Sequence, residues 1–141
     1  MSIRILSVDL GQVRTGLAVC DEGEVLASPL AVIAGSGKKL IHQVKIHAAE
    51  VNAGLVVVGN PLNMDGSGGE SAERASEFAG SLEKVSGLPV RLWDERLTTV
   101  SAHRALNQTN TRGSSRKAVI DAVAAVMILE DYLRFRKNNR R

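Results

Sequence analysis

The apolar run LVVVG at residues 55–59 constrains the fold more than any other stretch of this chain. It lacks the alternation of a half-exposed strand, so it fits a short strand covered on both faces, which is typical of parallel sheets. The segment before it repeats apolar residues at helical spacing, at Leu40, Ile41, Val44, Ala48 and Val51. A helix that leads into a doubly covered strand predicts a crossover connection in an α/β sheet.

The flanking segments extend this pattern. Three strand-like segments precede the first helix, IRILSVDL, TGLAVCD and EVLASPLAVI, and their short turns predict a meander. After residue 59, a Gly-rich loop leads to a second helix with an apolar stripe, and PVRLW is predicted as the fifth strand. A third helix through Leu106 and a last helix over residues 117–135 follow. The order βββαβαβαα predicts an α/β fold, a three-layer α/β/α sandwich with a five-stranded mixed sheet.

Length and composition predict one domain over residues 1–141, with a basic tail from about residue 134. The single cysteine, Cys20, excludes an internal disulfide, and the first residues lack the pattern of a secretion signal. The longest nearly apolar run, residues 118–129, contains an aspartate and is shorter than the roughly 20 residues of a membrane span. We therefore expect a soluble cytoplasmic protein, a monomer or a homodimer, with no membrane partner.

Positive charge is concentrated at one end of the chain, although the net charge is only +3. Residues 1–111 carry 10 basic and 12 acidic side chains, whereas residues 112–141 carry 8 basic and 3 acidic ones. Arg112, Arg116 and Lys117 lie in a predicted polar loop, and with the basic C-terminus they could gather the phosphates of a nucleic acid. For the tail alone, a solvated charge run is the more common case.

Three carboxylates, Asp9, Glu95 and Asp121, stand where apolar neighbours predict burial. Burying one ionised carboxylate alone costs several kcal/mol, so each must be paired, protonated or bound to a cation. Asp9 ends the first predicted strand and Glu95 follows the fifth, which assigns both to the edge where α/β sheets bind ligands. Asp121, near the start of the last helix, is expected to face them.

A shared cation would explain all three acids, because converging carboxylates repel one another unless a divalent ion neutralises them. Oxygen donors without a thiolate or histidine cluster favour Mg²⁺ or Mn²⁺ over Zn²⁺. Two such ions about 3.5–4 Å apart can activate a water and stabilise a leaving oxygen in phosphodiester hydrolysis. The sequence thus favours a joint metal site over three separately compensated acids.

The alternative gives each acid its own partner. Asp9 would cap the turn at Gly11, and Asp121 would cap or pair near the start of its helix. Glu95 would pair with a neighbouring arginine, Arg14 or Arg96. Each of these explanations is plausible singly, but the coincidence of three is less so.

Residues beside these acids leave further alternatives open. Arg14 and Arg96 could each contact a phosphate or form an internal ion pair. Asp94 competes with Glu95 as the second site acid, since strand alternation points them to opposite faces. The loop NMDGSGG could bring backbone amides to a phosphate or be a surface turn.

The histidines and the aromatic residues do not indicate a histidine metal site or a base-stacking surface. The three histidines show no ligand spacing, and the four aromatic residues do not alternate with basic ones. Base stacking as a main mode of nucleic-acid binding is therefore not supported by the sequence pattern.

Four segments together resemble the YqgF/RuvX family: VDLGQVRTGLAVCD, VVVGNPLNMDGSGGESA, DERLTTVSA and IDAVAAVMILEDYL. The resemblance covers nearly the whole chain and implies a ribonuclease H-like fold related to RuvC resolvases. It also implies a bacterial nuclease that matures the 5′ end of pre-16S ribosomal RNA, with ribosomal precursor particles as partners. The family's acids fall on Asp9, Glu95 and Asp121. Ala124 stands where RuvC-type enzymes often carry another acid, so three acids rather than four would hold Mg²⁺ or Mn²⁺.

Three other functions compete with RNA processing. A Holliday junction resolvase would cut branched DNA, normally as a symmetric dimer. An actin-like or sugar-kinase-like ATPase shares the VDLGQVRTG pattern, but it closes two such domains around a nucleotide, and 141 residues supply one. A noncatalytic nucleic-acid-binding module would keep the acids for structure alone.

Overall fold

A computed structural model of the chain describes residues 3–11, 13–62, 65–97 and 114–139, with only the backbone at residue 97 and residues 114–122. The strands are β1 (Arg4–Leu10), β2 (Arg14–Cys20), β3 (Ala27–Ala34), β4 (Ala53–Asn60) and β5 (Val90–Asp94). The helices are α1 (Gly37–Glu50), α2 (Glu70–Ser86) and α3 (Ser114–Asn138), and a short 3₁₀ turn spans Glu95–Leu97.

The five strands form one sheet in the order β3-β2-β1-β4-β5. The meander β1–β2–β3 is antiparallel, whereas β4 pairs in parallel with both β1 and β5. β5 is therefore an edge strand, and its carboxyl end lies at the same edge of the sheet as those of β1 and β4. The predicted mixed sheet and α/β class are confirmed.

Apolar side chains cover both faces of the sheet and create two cores. On one face, Leu6, Val8, Val56 and Val58 pack against residues of α1 and α2 such as Val44 and Leu82. On the other face, a second cluster joins the sheet to α3, and its buried members include Ile5, Ala18, Val57, Ala125, Ile128 and Leu129. The run at residues 55–59 is buried on both faces, as its lack of alternation predicts.

Helix α3 runs opposite to β1 across the second face. Its middle is fixed by Ser7, whose hydroxyl donates a hydrogen bond to the carbonyl oxygen of Ala125 at 2.6 Å. Near its C-terminus, Arg136 Nε donates to the Glu24 carboxylate at 2.6 Å, and Glu24 also accepts the Ile3 amide at 3.5 Å. Since Ile3 precedes β1, the earlier turns of α3 extend toward the carboxyl end of β1.

Element boundaries differ from the sequence expectation mainly at the last helix. α3 begins at Ser114 and ends at Asn138, three residues earlier and three residues later than residues 117–135. α2 ends where predicted, at Gly87, whose φ of 74° is the left-handed conformation that glycine adopts without strain. The helix predicted through Leu106 lies outside the described residues. Within the described ranges, we find no helix with the length and apolar character to cross a bilayer.

Candidate active site

Asp9 lies on the face of β1 that α3 covers. Ser7 on the same strand contacts α3, and side chains two residues apart on a strand share a face. Asp9 is only 2% exposed, and it pairs across β1–β2 with Gly16. A buried carboxylate therefore ends the central strand on the α3 side, as the sequence predicts.

Glu95 lies on the same face, above β4. A Cβ built on Gly59 would come within 2.5 Å of Glu95 Oε2 and 2.7 Å of Ile128 Cδ1, so the carboxylate occupies the space that a side chain at residue 59 would fill. Glu95 is 3% exposed. Val8 and Val58 are register partners, so Asp9 and Gly59 follow side by side, about 4.8 Å apart at neighbouring strand positions. The two acids thus adjoin each other across β1 and β4.

The third predicted acid, Asp121, is placed only by its backbone. It precedes Ala125 by one helical turn, about 6 Å toward the end of the sheet where Asp9 lies. Its side chain lies outside the described residues. The backbone of α3 therefore brings residue 121 toward the edge of the sheet where Asp9 and Glu95 lie.

Asp94 is engaged by Arg96 and points elsewhere. The Arg96 guanidinium donates to both carboxylate oxygens, with Nη2–Oδ2 at 2.8 Å and Nε–Oδ1 at 3.1 Å, and the Arg96 amide donates to Oδ1 at 3.0 Å. Those contacts hold the pKa of Asp94 below its ordinary value of 3.8 and raise the pKa of Arg96. Of the two rival acids, Glu95 is therefore the one beside Asp9.

Arg96 also covers the Gly-rich loop. Its Nη1 lies 3.3 Å from the position that a Cβ on Gly66 would take. The loop is folded on itself at this point, since the hydroxyl and amide of Ser67 donate to Asp65 Oδ1 at 2.6 and 2.9 Å. The structure places Arg96 in the internal ion pair that the sequence left open, and its contact with nucleic acid stays a prediction.

The other predicted nucleic-acid contacts are described only in part. Arg14 opens β2 and is half-buried, next to the turn that follows Asp9. The side chains of Arg116 and Lys117 lie outside the described residues, and so does Arg112 altogether.

Several residues near the site escaped the sequence interpretation. Arg74 of α2 donates to the carbonyl oxygen of Gly11 at 3.1 Å and so holds the turn after Asp9. At Gly11, a Cβ would overlap the Arg14 carbonyl oxygen. Gly59 and Ser7 were read only as strand residues, because spacing along a chain does not show which backbone another element approaches.

The donor set fits a hard divalent cation. The described part of the site supplies carboxylate oxygens, which Mg²⁺ and Mn²⁺ prefer, and both carboxylates are buried together on one face. Among the residues whose side chains are described, no three acids, histidines or cysteines are grouped closely enough to hold a metal. A metal site here would thus need Asp121 to complete it.

Comparison with known proteins identifies the family. The sequence model of RuvX, described as a Holliday junction resolvase, matches residues 3–135. A protein of Pelagibacter ubique, provisionally named pre-16S rRNA nuclease, is 39% identical over 137 residues, covering 96% of this chain and 91% of its own. A protein of Mycobacterium tuberculosis with the same provisional name is 45% identical over 133 residues, covering 92% of this chain and 78% of its own.

Solved structures agree on the fold. Thermus thermophilus RuvC in complex with a Holliday junction substrate superposes with a TM-score of 0.61 at 16% identity, covering 96% of both chains. The fowlpox virus Holliday junction resolvase gives a TM-score of 0.53 at 14% identity, covering 94% of this chain and 99% of its own. The ribonuclease H-like fold is therefore confirmed, and nuclease is the enzyme class of the family and of these relatives. The chain belongs to the RuvX family.

Proposed function

We propose that this protein is a divalent-metal-dependent endonuclease that hydrolyses phosphodiester bonds in structured RNA, and that it processes the 5′ end of pre-16S rRNA in the cytoplasm. One observation carries the chemistry: two buried carboxylates, Asp9 and Glu95, lie side by side on the face of the sheet covered by α3. The choice of RNA is supported by the provisional names of the full-length relatives.

Asp9, Glu95 and Asp121 would hold Mg²⁺ or Mn²⁺. When bound, the cation would lower the pKa of a water molecule and neutralise charge that develops on the leaving oxygen. The chain's own contribution is to hold the carboxylates close together and to screen them from bulk water. The glycine at residue 59 leaves the space in which the Glu95 carboxylate lies, and α3 closes the site from above.

Basic residues around the site would bind the substrate backbone. Arg14, beside the turn that follows Asp9, is suited to contact a phosphate near the bond that is cut. Arg112, Arg116 and Lys117 would extend that contact along the substrate from the segment that leads into α3. Arg96 would act through its ion pair with Asp94, by fastening the loop at Gly66 beside the substrate.

A second candidate function is resolution of branched DNA. The description of the RuvX family favours it, and so does its chemistry, because the same acids would cut either backbone. A junction has two equivalent strands, so this function requires two active sites acting in a dimer. The oligomeric state in solution therefore distinguishes the two candidates as well as the substrate does.

The decisive experiment compares Asp9→Asn with a matched control, Glu77→Gln, an exposed acid on α2. Both proteins are incubated with a pre-16S rRNA fragment and with a four-way DNA junction, with and without Mg²⁺. We expect the wild type and Glu77→Gln to cut the RNA only with the metal, and Asp9→Asn to lose at least about 100-fold in rate. Undiminished cleavage by folded Asp9→Asn would overturn the proposal, and preferential junction cleavage by a dimer would favour the second candidate.

Diffraction from crystals soaked in Mn²⁺ tests the site independently of activity. An anomalous peak between Asp9, Glu95 and Asp121 is expected. A peak elsewhere, or acids that share no ion, would show that the carboxylates have a structural role.

A further inference from the structure

Three of the four aromatic residues of the chain meet in one place, which the spacing of the sequence does not reveal. The ring centroids of Trp93 and Phe135 are 5.4 Å apart, and those of Trp93 and Tyr132 are 5.6 Å apart in an edge-to-face arrangement. Tyr132 and Phe135 lie on α3, and Trp93 lies on the edge strand β5. We call these three residues the Trp93 cluster.

One member of the Trp93 cluster, Trp93 itself, lies beside the candidate active site. Trp93 is the register partner of Gly59, the residue over which the Glu95 carboxylate lies. Its ring faces α3, as Asp9 and Glu95 do. Trp93 precedes Glu95 by two residues, about 6.6 Å along an extended chain. Phe135 lies seven residues beyond Ile128, about 10 Å farther along α3 from the Glu95 carboxylate. A strand with a phosphate at the carboxylates therefore reaches Phe135 with a base a few nucleotides away from that phosphate.

Part of the Trp93 cluster remains open to solvent. Phe135 is 49% exposed, although it is one of the largest apolar side chains of α3, and Tyr132 is half-buried. Phe135 contacts Trp93 and also Tyr132, whose ring centroid lies 6.2 Å away, and about half of its side chain stays exposed. The exposed part of an aromatic side chain is a surface on which an unpaired base can stack.

Two exposed arginines lie near that surface. Arg91 is exposed on the same side of β5 as Trp93, two residues away. Arg134, the neighbour of Phe135 in α3, has a 70% exposed side chain even though it contacts Asp131. Such a rim attracts a phosphate backbone, and it repels a second copy of the same surface.

We propose that the Trp93 cluster is a stacking site for an unpaired base of the nucleic-acid substrate. The inference rests on the proposed nuclease function and specifies its substrate class: a strand with unpaired nucleotides a few positions from the bond that is cut. A fully paired duplex keeps its bases stacked on one another and gains nothing from Phe135. The cluster would thus select single-stranded segments or junction flaps over continuous helix.

The test measures binding without cleavage. The Asp9→Asn protein, without Mg²⁺, is titrated with a single-stranded RNA and with a duplex of the same sequence, and Trp93, the only tryptophan, reports stacking through quenching of its fluorescence. The variants are Phe135→Ala, Phe135→Leu and Phe135→Tyr. Val85→Ala, another exposed apolar side chain but on α2, is the matched control.

We expect Phe135→Ala and Phe135→Leu to weaken single-strand binding about tenfold, with duplex binding changed less than about twofold. Phe135→Tyr and Val85→Ala should bind as the parent does. Equal losses on both ligands, or no loss on the single strand, would overturn the inference. So would a wild-type dimer that Phe135→Ala converts to a monomer, because the surface would then join two copies of the chain.

The outcome is separable from that of the proposed function. Stacking is measured in the absence of metal, and cleavage by Asp9-containing protein is measured with Mg²⁺. A protein that cuts RNA with unaltered preference after Phe135→Ala remains a nuclease and lacks this site.

Discussion

The hydroxyl of Ser7 lies 2.6 Å from the backbone carbonyl oxygen of Ala125, and both residues are fully buried. This hydrogen bond joins the central strand to the helix that covers it. Asp9 is two residues beyond Ser7, and Asp121 is one turn before Ala125. The bond therefore fixes the distance between α3 and β1 close to Asp9 and to the helical turn that carries residue 121.

Replacing Ser7 with alanine should destabilise the fold without creating a large cavity. One buried hydrogen bond is lost, and such bonds contribute about 1 kcal/mol to the free energy of unfolding. Urea denaturation should show this loss, whereas Ser28→Ala, at an exposed position of β3, should leave the midpoint unchanged. Equal shifts of the urea midpoint in the two variants would show that the Ser7 hydrogen bond makes no net contribution to stability.

Replacing Gly59 with alanine should reduce activity more than stability. The added Cβ would lie 2.5 Å from Glu95 Oε2 and 2.7 Å from Ile128 Cδ1, so the carboxylate must leave its present position over residue 59. Overpacking of this kind costs about 1–3 kcal/mol, which the protein can survive, but a displaced ligand should lower both Mn²⁺ affinity and cleavage rate. Isothermal titration and cleavage assays measure the two effects.

Gly80→Ala is the matched control for that substitution. A Cβ at Gly80 meets nothing within 4 Å, and the residue is exposed within α2. Alanine should stabilise the helix by about 0.4–1 kcal/mol with unchanged metal affinity. If Gly59→Ala bound Mn²⁺ as well as Gly80→Ala does, Glu95 would not be a ligand.

The ion pair between Asp94 and Arg96 should make the free energy of unfolding depend on pH. The pKa of Asp94 is lowered in the folded protein, chiefly by the hydrogen bonds from Arg96, so its contribution is present above the unfolded value of 3.8 and is lost as the pH falls through the folded value. Asp94→Asn should be less stable than the wild type at neutral pH, and the difference should narrow as the pH falls below 3.8 and through the lower pKa of the folded protein. Urea midpoints across this range measure it, with Glu77→Gln expected to run parallel to the wild type.

Cys20 should resist alkylation while the protein is folded. Its side chain is 2% exposed, its sulfur accepts the Ile5 amide at 3.1 Å, and burial raises the pKa of the thiol. Iodoacetamide should react at least about 100-fold more slowly with the native protein than with the urea-unfolded chain. Comparable rates would mean that the β1–β2 region opens readily.

The strands were predictable because a strand buried on both faces consists of apolar residues without alternation. The run at residues 55–59 is apolar throughout, and it lies between helices on both faces, as that pattern requires. The end of α2 was predictable as well, because Gly87 adopts the left-handed conformation that commonly ends a helix. The apolar pattern does not show the two ends of α3, because its terminal residues are polar. The helix continues past residue 135, where Arg136 binds Glu24, a residue far away in sequence.

The site was predictable only at its charged positions. Asp9 and Glu95 stand out because carboxylates among apolar neighbours need an explanation, but nothing in the chain order marks Gly59 or Ser7, whose roles depend on elements far away in sequence. The Trp93 cluster was missed for the same reason, since Trp93 and Phe135 are brought together by a helix crossing and not by spacing. The choice between Asp94 and Glu95 required the position of Arg96.

Glu95 follows the outermost strand of the sheet, and β5 is hydrogen-bonded to a neighbour on one side only. When a protein is warmed, edge strands unfold locally first, because the fewest hydrogen bonds must break there. The geometry of the proposed site should therefore be lost at a temperature below that at which the rest of the protein melts. Heat inactivation would precede denaturation, and the enzyme would regain its activity on cooling.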